Sequence, residues 1–256
     1  MIHYEIYNEN AEEALVLVHG FGGSTRTWKK QIDAFSKDYK VIAIDLPGHG
    51  QSQNGEVQEI SAELISDSIN DVLDTLGIKK AHFVGLSLGS MVAVDYAIKN
   101  PERVSRLVLG GAVLKFYGLQ KIYLLPLGIA KFFLPHKFLY KIIASIVLPR
   151  KHQRRSRDIF IREALKMSKE SFIVWMEYLT HRLINKDFFK AITEIKNKIL
   201  IISGREDIFF INAAHKTANS LIDGDIKEIA KCGHICNIEQ STEFNNLTLD
   251  FLKKIA

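Results

Sequence analysis

Short apolar runs that are typical of buried strands alternate with helical patterns along most of this chain. The runs ALVLVHG, YKVIAID, AHFVGLS, VSRLVLGGAV and KILIISG consist largely of apolar residues. Near-continuous apolar strands separated by helices indicate a parallel sheet with both faces covered. We therefore predict an α/β fold with a mostly parallel central sheet and helices on both faces.

The alternation of strands and helices is interrupted between Leu114 and Thr193. This segment is helical in pattern and rich in aromatic and basic residues, and strands resume at Lys198. We expect one α/β core formed by residues 1–113 and 193–256, with a helical insertion at residues 114–192. A chain of 256 residues is long enough for one domain of this kind.

The basic residues are concentrated in the inserted segment. The formal net charge is +5, and the stretch from Lys115 to Arg157 contains ten Lys or Arg and no Asp or Glu. The rest of the chain therefore carries a formal charge of −5. We expect no nucleic-acid partner, because the basic run lacks a recognisable binding motif.

The first twenty residues are predicted to form a strand, an acidic turn and a second strand rather than a signal segment, so we expect a cytoplasmic protein. No apolar run reaches the roughly 18–20 residues that a membrane span needs. The two cysteines, Cys232 and Cys236, do not make a disulfide framework, and they lack the second Cys or His pair of a zinc site.

A serine lies between two glycines in GLSLG, at 85–89, directly after a predicted strand and before a predicted helix. The pattern Gly-x-Ser-x-Gly places the serine on a strained strand-to-helix turn. A Cβ atom at either glycine would collide with the neighbouring strand or helix. The start of the helix also directs free N–H groups toward the serine. Ser87 is therefore a candidate nucleophile.

A serine nucleophile requires a base, and the base requires an acid that orients it. Among nine histidines, His234 in KCGHICNIEQ follows the last predicted strand. Asp207 in ISGREDIFF also follows a strand, and its neighbour Glu206 is a rival acid. Ligand sites in open α/β sheets lie at the carboxyl ends of the strands. Ser87, Asp207 and His234 are expected to meet there.

Five motifs resemble those of the α/β-hydrolase fold superfamily, in the family's order and over nearly the whole chain. They are HGFGGS at 19–24, DLPGHGQS at 45–52, GLSLG at 85–89, GREDIFF at 204–210 and CGHICNIEQ at 232–240. The resemblance implies the α/β-hydrolase fold, and it implies that the helical insertion is a cap that roofs the active site and shapes the substrate pocket.

The resemblance also implies a role for each candidate residue. Ser87 would be the nucleophile, His234 the general base and Asp207 the acid that orients the base. The backbone N–H groups of Phe21 and Leu88 would form the oxyanion hole. Preorganised donors of this kind stabilise the anion that develops in acyl transfer, by about 3 kcal/mol each. No metal or organic cofactor is needed for this chemistry.

Three further polar residues are interpreted as structural, namely His19 in the Gly-rich loop and Asp45 and His49 in the following turn. The chain departs from the family pattern where Ser90 replaces the second glycine of the usual Gly-Gly pair. A serine nucleophile disfavours haloalkane dehalogenases and epoxide hydrolases, which use Asp there. The absence of an arginine soon after the strand-to-helix turn at Ser87, called the serine elbow below, weakens an assignment to an enzyme of the menaquinone pathway.

These features favour a serine hydrolase of esterase or lipase type that cleaves a small-molecule carboxylic ester through an acyl-enzyme. The expected substrate is an apolar acyl ester, such as a monoacylglycerol or a lysolipid. One alternative is a carbon–carbon bond hydrolase with the same triad. Another is a non-catalytic α/β-hydrolase that binds a ligand or a partner.

Two interpretations of the basic, aromatic cap are compatible with its sequence. Its apolar side chains can pack on the core while the lysine stems extend into solvent. They can also line a lipophilic pocket, with the basic outer face in peripheral contact with an anionic membrane.

Overall fold

The structure is a computed structural model, and it describes residues 1–53, 57, 59–117 and 134–253. Part of the basic segment predicted for the cap, residues 118–133, therefore lies outside the described residues. Among the residues it describes, every helix is too short or too polar to cross a membrane.

Seven strands form one sheet, in the order β1-β3-β2-β4-β5-β6-β7. The strands are β1 Tyr4–Tyr7, β2 Ala14–Val18, β3 Lys40–Ile44, β4 Ala81–Leu86, β5 Val104–Gly110, β6 Lys198–Gly204 and β7 Gly224–Ile229. Strand β1 pairs with β3 in the antiparallel sense, and every other pairing is parallel. The prediction of a mostly parallel central sheet is confirmed.

Helices cover both faces of the sheet and follow its strands in the chain. They are α1 Lys29–Phe35, α2 Ala62–Thr75, α3 Leu88–Lys99, α4 His136–Val147, α5 Arg154–Ala164, α6 Lys169–Ile184, α7 Lys186–Thr193, α8 Ile211–Ala218, α9 Cys236–Glu239 and α10 Ser241–Lys253. Short 3-10 turns occupy Thr25–Trp28, Pro101–Arg103 and Lys151–Gln153. The predicted helical insertion between two strands is present as α4 to α7, between β5 and β6.

The core has two layers because successive residues of a strand point to opposite faces. In β2, Val16 and Val18 pack with side chains of α2, α3 and the inserted helices. Leu15 and Leu17 face the other side and pack with side chains of α1 and α10. All five β2 residues are buried, which explains why the strand is apolar throughout rather than alternating.

The inserted helix α6 is attached to the core by polar contacts. The Trp175 indole N–H donates to the Pro47 carbonyl at 2.8 Å. The Arg182 Nε lies 3.0 Å from the Asp95 carboxylate of α3, and the Tyr178 hydroxyl donates to the same carboxylate. Burial raises the pKa of Asp95, and the Arg182 charge counteracts that effect. The boundaries of the core and the cap remain predictions.

Candidate active site

Ser87 stands at the turn between β4 and α3 with φ 53° and ψ −115°, a conformation that non-glycine residues rarely adopt. The flanking glycines permit this turn. A Cβ on Gly85 would lie 2.3 Å from the Gly89 carbonyl oxygen, and a Cβ on Gly89 would lie 2.0 Å from the Val18 carbonyl oxygen. The turn therefore requires glycine at both positions.

Ser90, which departs from the family's Gly-Gly pair, holds this turn to the sheet. Its hydroxyl lies within hydrogen-bond distance of two carbonyls, at 3.0 Å from Gly85 and 3.2 Å from Gly110. The Ser87 N–H also donates to the Gly110 carbonyl, at 2.8 Å. Ser90 therefore gives the elbow side-chain contacts that a second glycine could not form.

The structure brings together the three residues that the sequence nominated as nucleophile, base and acid. The His234 Nε2 lies 2.9 Å from the Ser87 Oγ, and the His234 Nδ1 lies 2.8 Å from the Asp207 Oδ2. An ionised carboxylate can only accept a hydrogen bond, so Nδ1 carries the proton and Nε2 is free to accept from the serine hydroxyl. This arrangement can remove the proton of Ser87 during attack on a carbonyl.

Asp207 is the better candidate acid than its neighbour Glu206. Asp207 follows β6 and is 1% exposed. The carboxylate of Glu206 instead pairs with His152 at 2.7 Å and Arg150 at 3.2 Å. The two adjacent acids therefore have different partners, and only the first contacts the imidazole.

The two predicted oxyanion donors have no hydrogen-bond partner among the described residues. Leu88 is the first residue of α3, so its N–H precedes the first hydrogen-bonded turn. Neither the Leu88 N–H nor the Phe21 N–H donates to another described residue. The loop that carries Phe21 lies against the nucleophile, because a Cβ built on Gly20 would be 3.4 Å from the Ser87 Cβ.

His19 supports this loop through its neutral ring. Its Nε2 accepts the Leu46 N–H at 3.0 Å, and its Nδ1 lies 2.8 Å from the Gly20 carbonyl. A carbonyl only accepts, so the proton is on Nδ1. Burial lowers the pKa of His19, and the Asp45 carboxylate partly counteracts this. The contacts agree with the structural interpretation of this histidine.

His49 supports the next peptide of the same loop. Its Nε2 accepts the Gly22 N–H at 3.1 Å, and its Nδ1 lies 3.2 Å from the Pro47 carbonyl. Burial lowers the pKa of His49 well below its usual range, and the nearby His19 ring lowers it further. Both imidazoles therefore act as neutral hydrogen-bonding groups.

Asp45 shapes the turn that carries His49. Its carboxylate accepts the Thr25 N–H at 2.6 Å and the Gln51 N–H at 2.8 Å. It thereby joins the segment after the Gly-rich loop to the DLPGHGQS turn. These contacts agree with the interpretation of Asp45 as a turn former.

Glu239 was not singled out by sequence reasoning, although it lies within the motif that contains His234. Its two carboxylate oxygens accept the N–H groups of Gly233 and Ile235, each at 3.0 Å. Burial raises the pKa of Glu239, and these hydrogen bonds counteract that effect. The residue thus holds the backbone on both sides of His234. The sequence feature that could have revealed this role is an acidic residue five positions after the histidine.

The surroundings of the catalytic groups are aromatic. The Phe210 ring lies 5.0 Å from the His234 ring and stacks on Phe116 at 5.9 Å. On the other side, Phe21 packs against Phe172 of α6 at 5.3 Å. Buried aromatic rings therefore pack beside His234 and beside the loop that carries Phe21.

The two cysteines lie beside the loop that carries His234 and do not form a disulfide. Cys232 and Cys236 are free and buried. A hydrogen bond with Cys236, together with burial, raises the pKa of the Cys232 thiol. In the part of the chain that the structure describes, no group of three His, Cys, Asp or Glu is placed to hold a metal ion.

Comparisons with known proteins identify the family of this chain. A family model described as the alpha/beta hydrolase fold matches residues 13–127. The 2-hydroxy-6-oxononadienedioate/2-hydroxy-6-oxononatrienedioate hydrolase of Burkholderia vietnamiensis is 30% identical, over 97% of this chain and 90% of that protein. The 2-hydroxy-6-oxo-6-phenylhexa-2,4-dienoate hydrolase of Comamonas testosteroni is 28% identical, over 99% of this chain and 92% of that protein.

A solved structure shares the whole architecture. The enol-lactonase of Burkholderia xenovorans LB400 matches with a TM-score of 0.85 and 24% identity, over 99% of this chain and 96% of that chain. The arrangement of strands and helices described above therefore occurs in a known protein. The chain belongs to the α/β-hydrolase fold family.

Proposed function

We propose that this hydrolase cleaves a carbon–carbon bond beside a ketone, in a vinylogous diketone of the 2-hydroxy-6-oxo-dienoate class. The catalytic mechanism in this proposal depends on one observation above all. Hydrogen bonds of 2.9 Å and 2.8 Å connect Ser87 to His234 and His234 to Asp207. Such a connected set converts a serine hydroxyl into a nucleophile for carbonyl carbon.

In the first half of the reaction, the Ser87 Oγ attacks the ketone carbon and His234 takes the hydroxyl proton. The negative charge moves to the former carbonyl oxygen, which the N–H groups of Phe21 and Leu88 stabilise. The substrate reacts as its 2-oxo tautomer, and the carbon–carbon bond breaks when the tetrahedral species collapses. The electron pair is delocalised through the adjacent alkene onto the 2-oxo oxygen, which gives a stabilised carbanion, the dienolate of the hydroxydienoate. The proton held by His234 is available to that dienolate.

In the second half, water replaces the leaving group. His234 removes a proton from the water, and the resulting hydroxide attacks the acyl carbon on Ser87. The ester bond to the serine then breaks, and the proton returns from His234 to the Ser87 oxygen. The products are a carboxylic acid and a hydroxydienoate, so one water molecule is consumed in each cycle.

The sequence relatives support a carbon–carbon bond over an ester. The two relatives named above are hydrolases of 2-hydroxy-6-oxo dienoates, at 30% and 28% identity over nearly the whole chain. A molecule of that class contains a hydroxyl, a ketone and carboxylate groups but no ester, so its hydrolysis must break a carbon–carbon bond. The enol-lactonase, at 24% identity, supports the fold alone.

A carboxylic ester is the second candidate, and the sequence alone ranked it first. Phe210 packs on His234 and Phe116, and Phe21 of the oxyanion loop packs on Phe172. These buried rings favour an apolar acyl group, such as that of a monoacylglycerol or a lysolipid. The same steps apply to an ester, with an alkoxide rather than a carbanion as the leaving group. Contact between the basic cap and an anionic membrane stays a prediction.

The test compares kcat/KM for the two substrate classes on one preparation of the protein. The substrates are 2-hydroxy-6-oxo-6-phenylhexa-2,4-dienoate and a nitrophenyl ester series from acetate to palmitate. We expect the dienoate value to exceed that of the best ester by about 100-fold, which corresponds to about 3 kcal/mol of transition-state stabilisation. Esters that react faster than the dienoate would contradict the proposal.

Two variants control this comparison. Ser87→Ala removes the nucleophile and is expected to abolish turnover of both substrate classes. Ser68→Ala removes a serine hydroxyl on the exposed side of α2, where it donates only to the Leu64 carbonyl, and should keep wild-type activity. Turnover that persists in Ser87→Ala would contradict the proposed mechanism for either substrate class.

A further inference from the structure

The peptide between Gly20 and Phe21 carries one of the proposed oxyanion donors, and its carbonyl end is held firmly. The Gly20 carbonyl accepts the Gly23 N–H at 2.9 Å and lies 2.8 Å from the protonated Nδ1 of His19. In a trans peptide the N–H points opposite to the C=O. These two contacts therefore direct the Phe21 N–H away from His19 and leave it free.

The next peptide, between Phe21 and Gly22, is held at both ends. Its N–H donates to the His49 Nε2 at 3.1 Å. Its carbonyl accepts a hydrogen bond from the Tyr140 hydroxyl. Burial raises the pKa of Tyr140 well above its usual range, so the hydroxyl stays protonated and remains a donor. Neither end of this peptide can rotate without losing a buried hydrogen bond.

Tyr140 belongs to the inserted helix α4, and the inserted helices α4 and α5 both pack against this loop. The Tyr140 ring packs 5.5 Å from the Phe21 ring and 5.0 Å from Phe160 of α5. Gly22 has φ +71°, and a Cβ there would lie 2.6 Å from the Ala164 Cβ and 2.9 Å from the Tyr140 ring. The inserted region therefore makes direct backbone-level contact with the loop.

We propose that Tyr140 is a positioning residue, whose hydroxyl fixes the Phe21–Gly22 peptide and thereby aims the Phe21 N–H at the developing oxyanion. The inserted helices then do more than enclose the substrate, because they complete the alignment of the donor. This inference rests on the proposed function, in which the Phe21 N–H stabilises a tetrahedral species.

The physical consequence appears in the transition state. An oxyanion donor acts only when it is aligned with the charge that develops during attack. Without the Tyr140 hydroxyl, the Phe21 carbonyl loses a buried partner and the loop gains freedom, while the apolar lining stays in place. Removal of the Tyr140 hydroxyl should therefore lower kcat and leave KM nearly unchanged.

The experiment replaces Tyr140 by phenylalanine, which removes the hydroxyl and keeps the ring. We expect kcat to fall about 10-fold with KM unchanged within about 2-fold. The rate of labelling of Ser87 by a fluorophosphonate should fall by a similar factor, because phosphonylation needs the same donors. Circular dichroism checks that the variant folds, and Gly22→Ala, which pushes α4 and α5 from the loop, should also lower kcat.

Tyr178→Phe is the matched control. Tyr178 is also a buried tyrosine of the inserted region, but its hydroxyl donates to Asp95 of α3 rather than to the loop. Wild-type kcat and labelling in Tyr140→Phe would overturn the proposal. An equal fall of kcat in both tyrosine variants would also overturn it, since general attachment of the inserted helices would then explain the effect.

Fluorophosphonate labelling of Ser87 tests the role of Tyr140 independently of the proposed substrate. If Ser87 is labelled but neither substrate class is hydrolysed, the substrate proposal fails, and the ratio of labelling rates still decides the role of Tyr140. If Ser87 in the wild-type protein is not labelled at all, the proposed function and this inference both fail.

Discussion

At the scale of single residues, Asp207→Asn should lower kcat by about 10⁴-fold, because an amide no longer enforces the tautomer of His234 that accepts the serine proton. The matched variant is Glu206→Gln, whose side chain pairs with His152 and Arg150 instead. Its kcat should stay close to that of the wild-type protein. Steady-state kinetics on both variants checks this, and equal losses would show that the acid is misassigned.

The proximity of Ser87, Asp207 and His234 was predictable because each follows a predicted strand, and parallel strands end at one edge of the sheet. The positions of Glu239 and Tyr140 were not predictable in the same way. Glu239 acts on backbone N–H groups that carry no sequence signal, and the partner of Tyr140 is 119 positions away in the chain.

Glu239→Gln should lower kcat by about 10- to 100-fold through displacement of His234. An amide has one acceptor oxygen, so its NH₂ group would oppose one of the two N–H groups that Glu239 now binds. Glu243→Gln on the exposed side of α10 is the control and should behave as the wild type. Unchanged kcat in Glu239→Gln would mean that the loop holds His234 without this carboxylate.

At the scale of elements, the elbow and the inserted helices were predictable to different degrees. The elbow is a local feature, so GLSLG between a strand and a helix was sufficient to predict it. The helical insertion was also predicted, from the loss of strand pattern. The contacts that attach this insertion to the core could not be predicted, because the partners lie far apart in the chain. Trp175 binds Pro47, and Tyr178 and Arg182 bind Asp95.

Gly89→Ala should destabilise the fold by more than about 3 kcal/mol, because the new Cβ would lie 2.0 Å from the Val18 carbonyl oxygen, where backbone must shift. Gly77→Ala is the informative comparison. Its Cβ meets nothing within 4 Å, but φ is +65°, so only conformational strain of about 1–2 kcal/mol is expected. Urea unfolding measures both losses, and equal values would contradict the crowding argument.

At the scale of the whole molecule, an α/β fold with a mostly parallel sheet followed from the alternating apolar runs. The order of the strands could not be predicted, because pairing between distant segments does not change the local periodicity of the sequence. Strand β1 illustrates this, since its four half-buried residues give no hint that they pair with β3 in the antiparallel sense.

The free energy of unfolding should fall as the pH drops below about 6.5, the ordinary pKa of histidine. Burial lowers the pKa of His19, His49 and His82, so the unfolded chain binds more protons than the folded one in this range. Their stabilisation is complete above the unfolded pKa and is lost with acidification. Asp95 and Glu239, whose pKa burial raises, act in the opposite direction.

His82→Asn isolates one of these histidines away from the proposed catalytic groups. Urea unfolding at a series of pH values should give a shallower pH dependence for this variant than for the wild type. The difference in slope should lie below about 1.4 kcal/mol per pH unit, the value for one whole proton. Parallel curves for the two proteins would show that His82 titrates alike in the folded and unfolded states.

The most direct test of the central claim, that Ser87 is the activated nucleophile, is mass spectrometry after reaction with a fluorophosphonate. We predict one adduct per chain, mapped to the peptide that contains Ser87. The adduct should be absent in Ser87→Ala and strongly slowed in His234→Ala. An unmodified chain, or an adduct on another residue, would contradict the account.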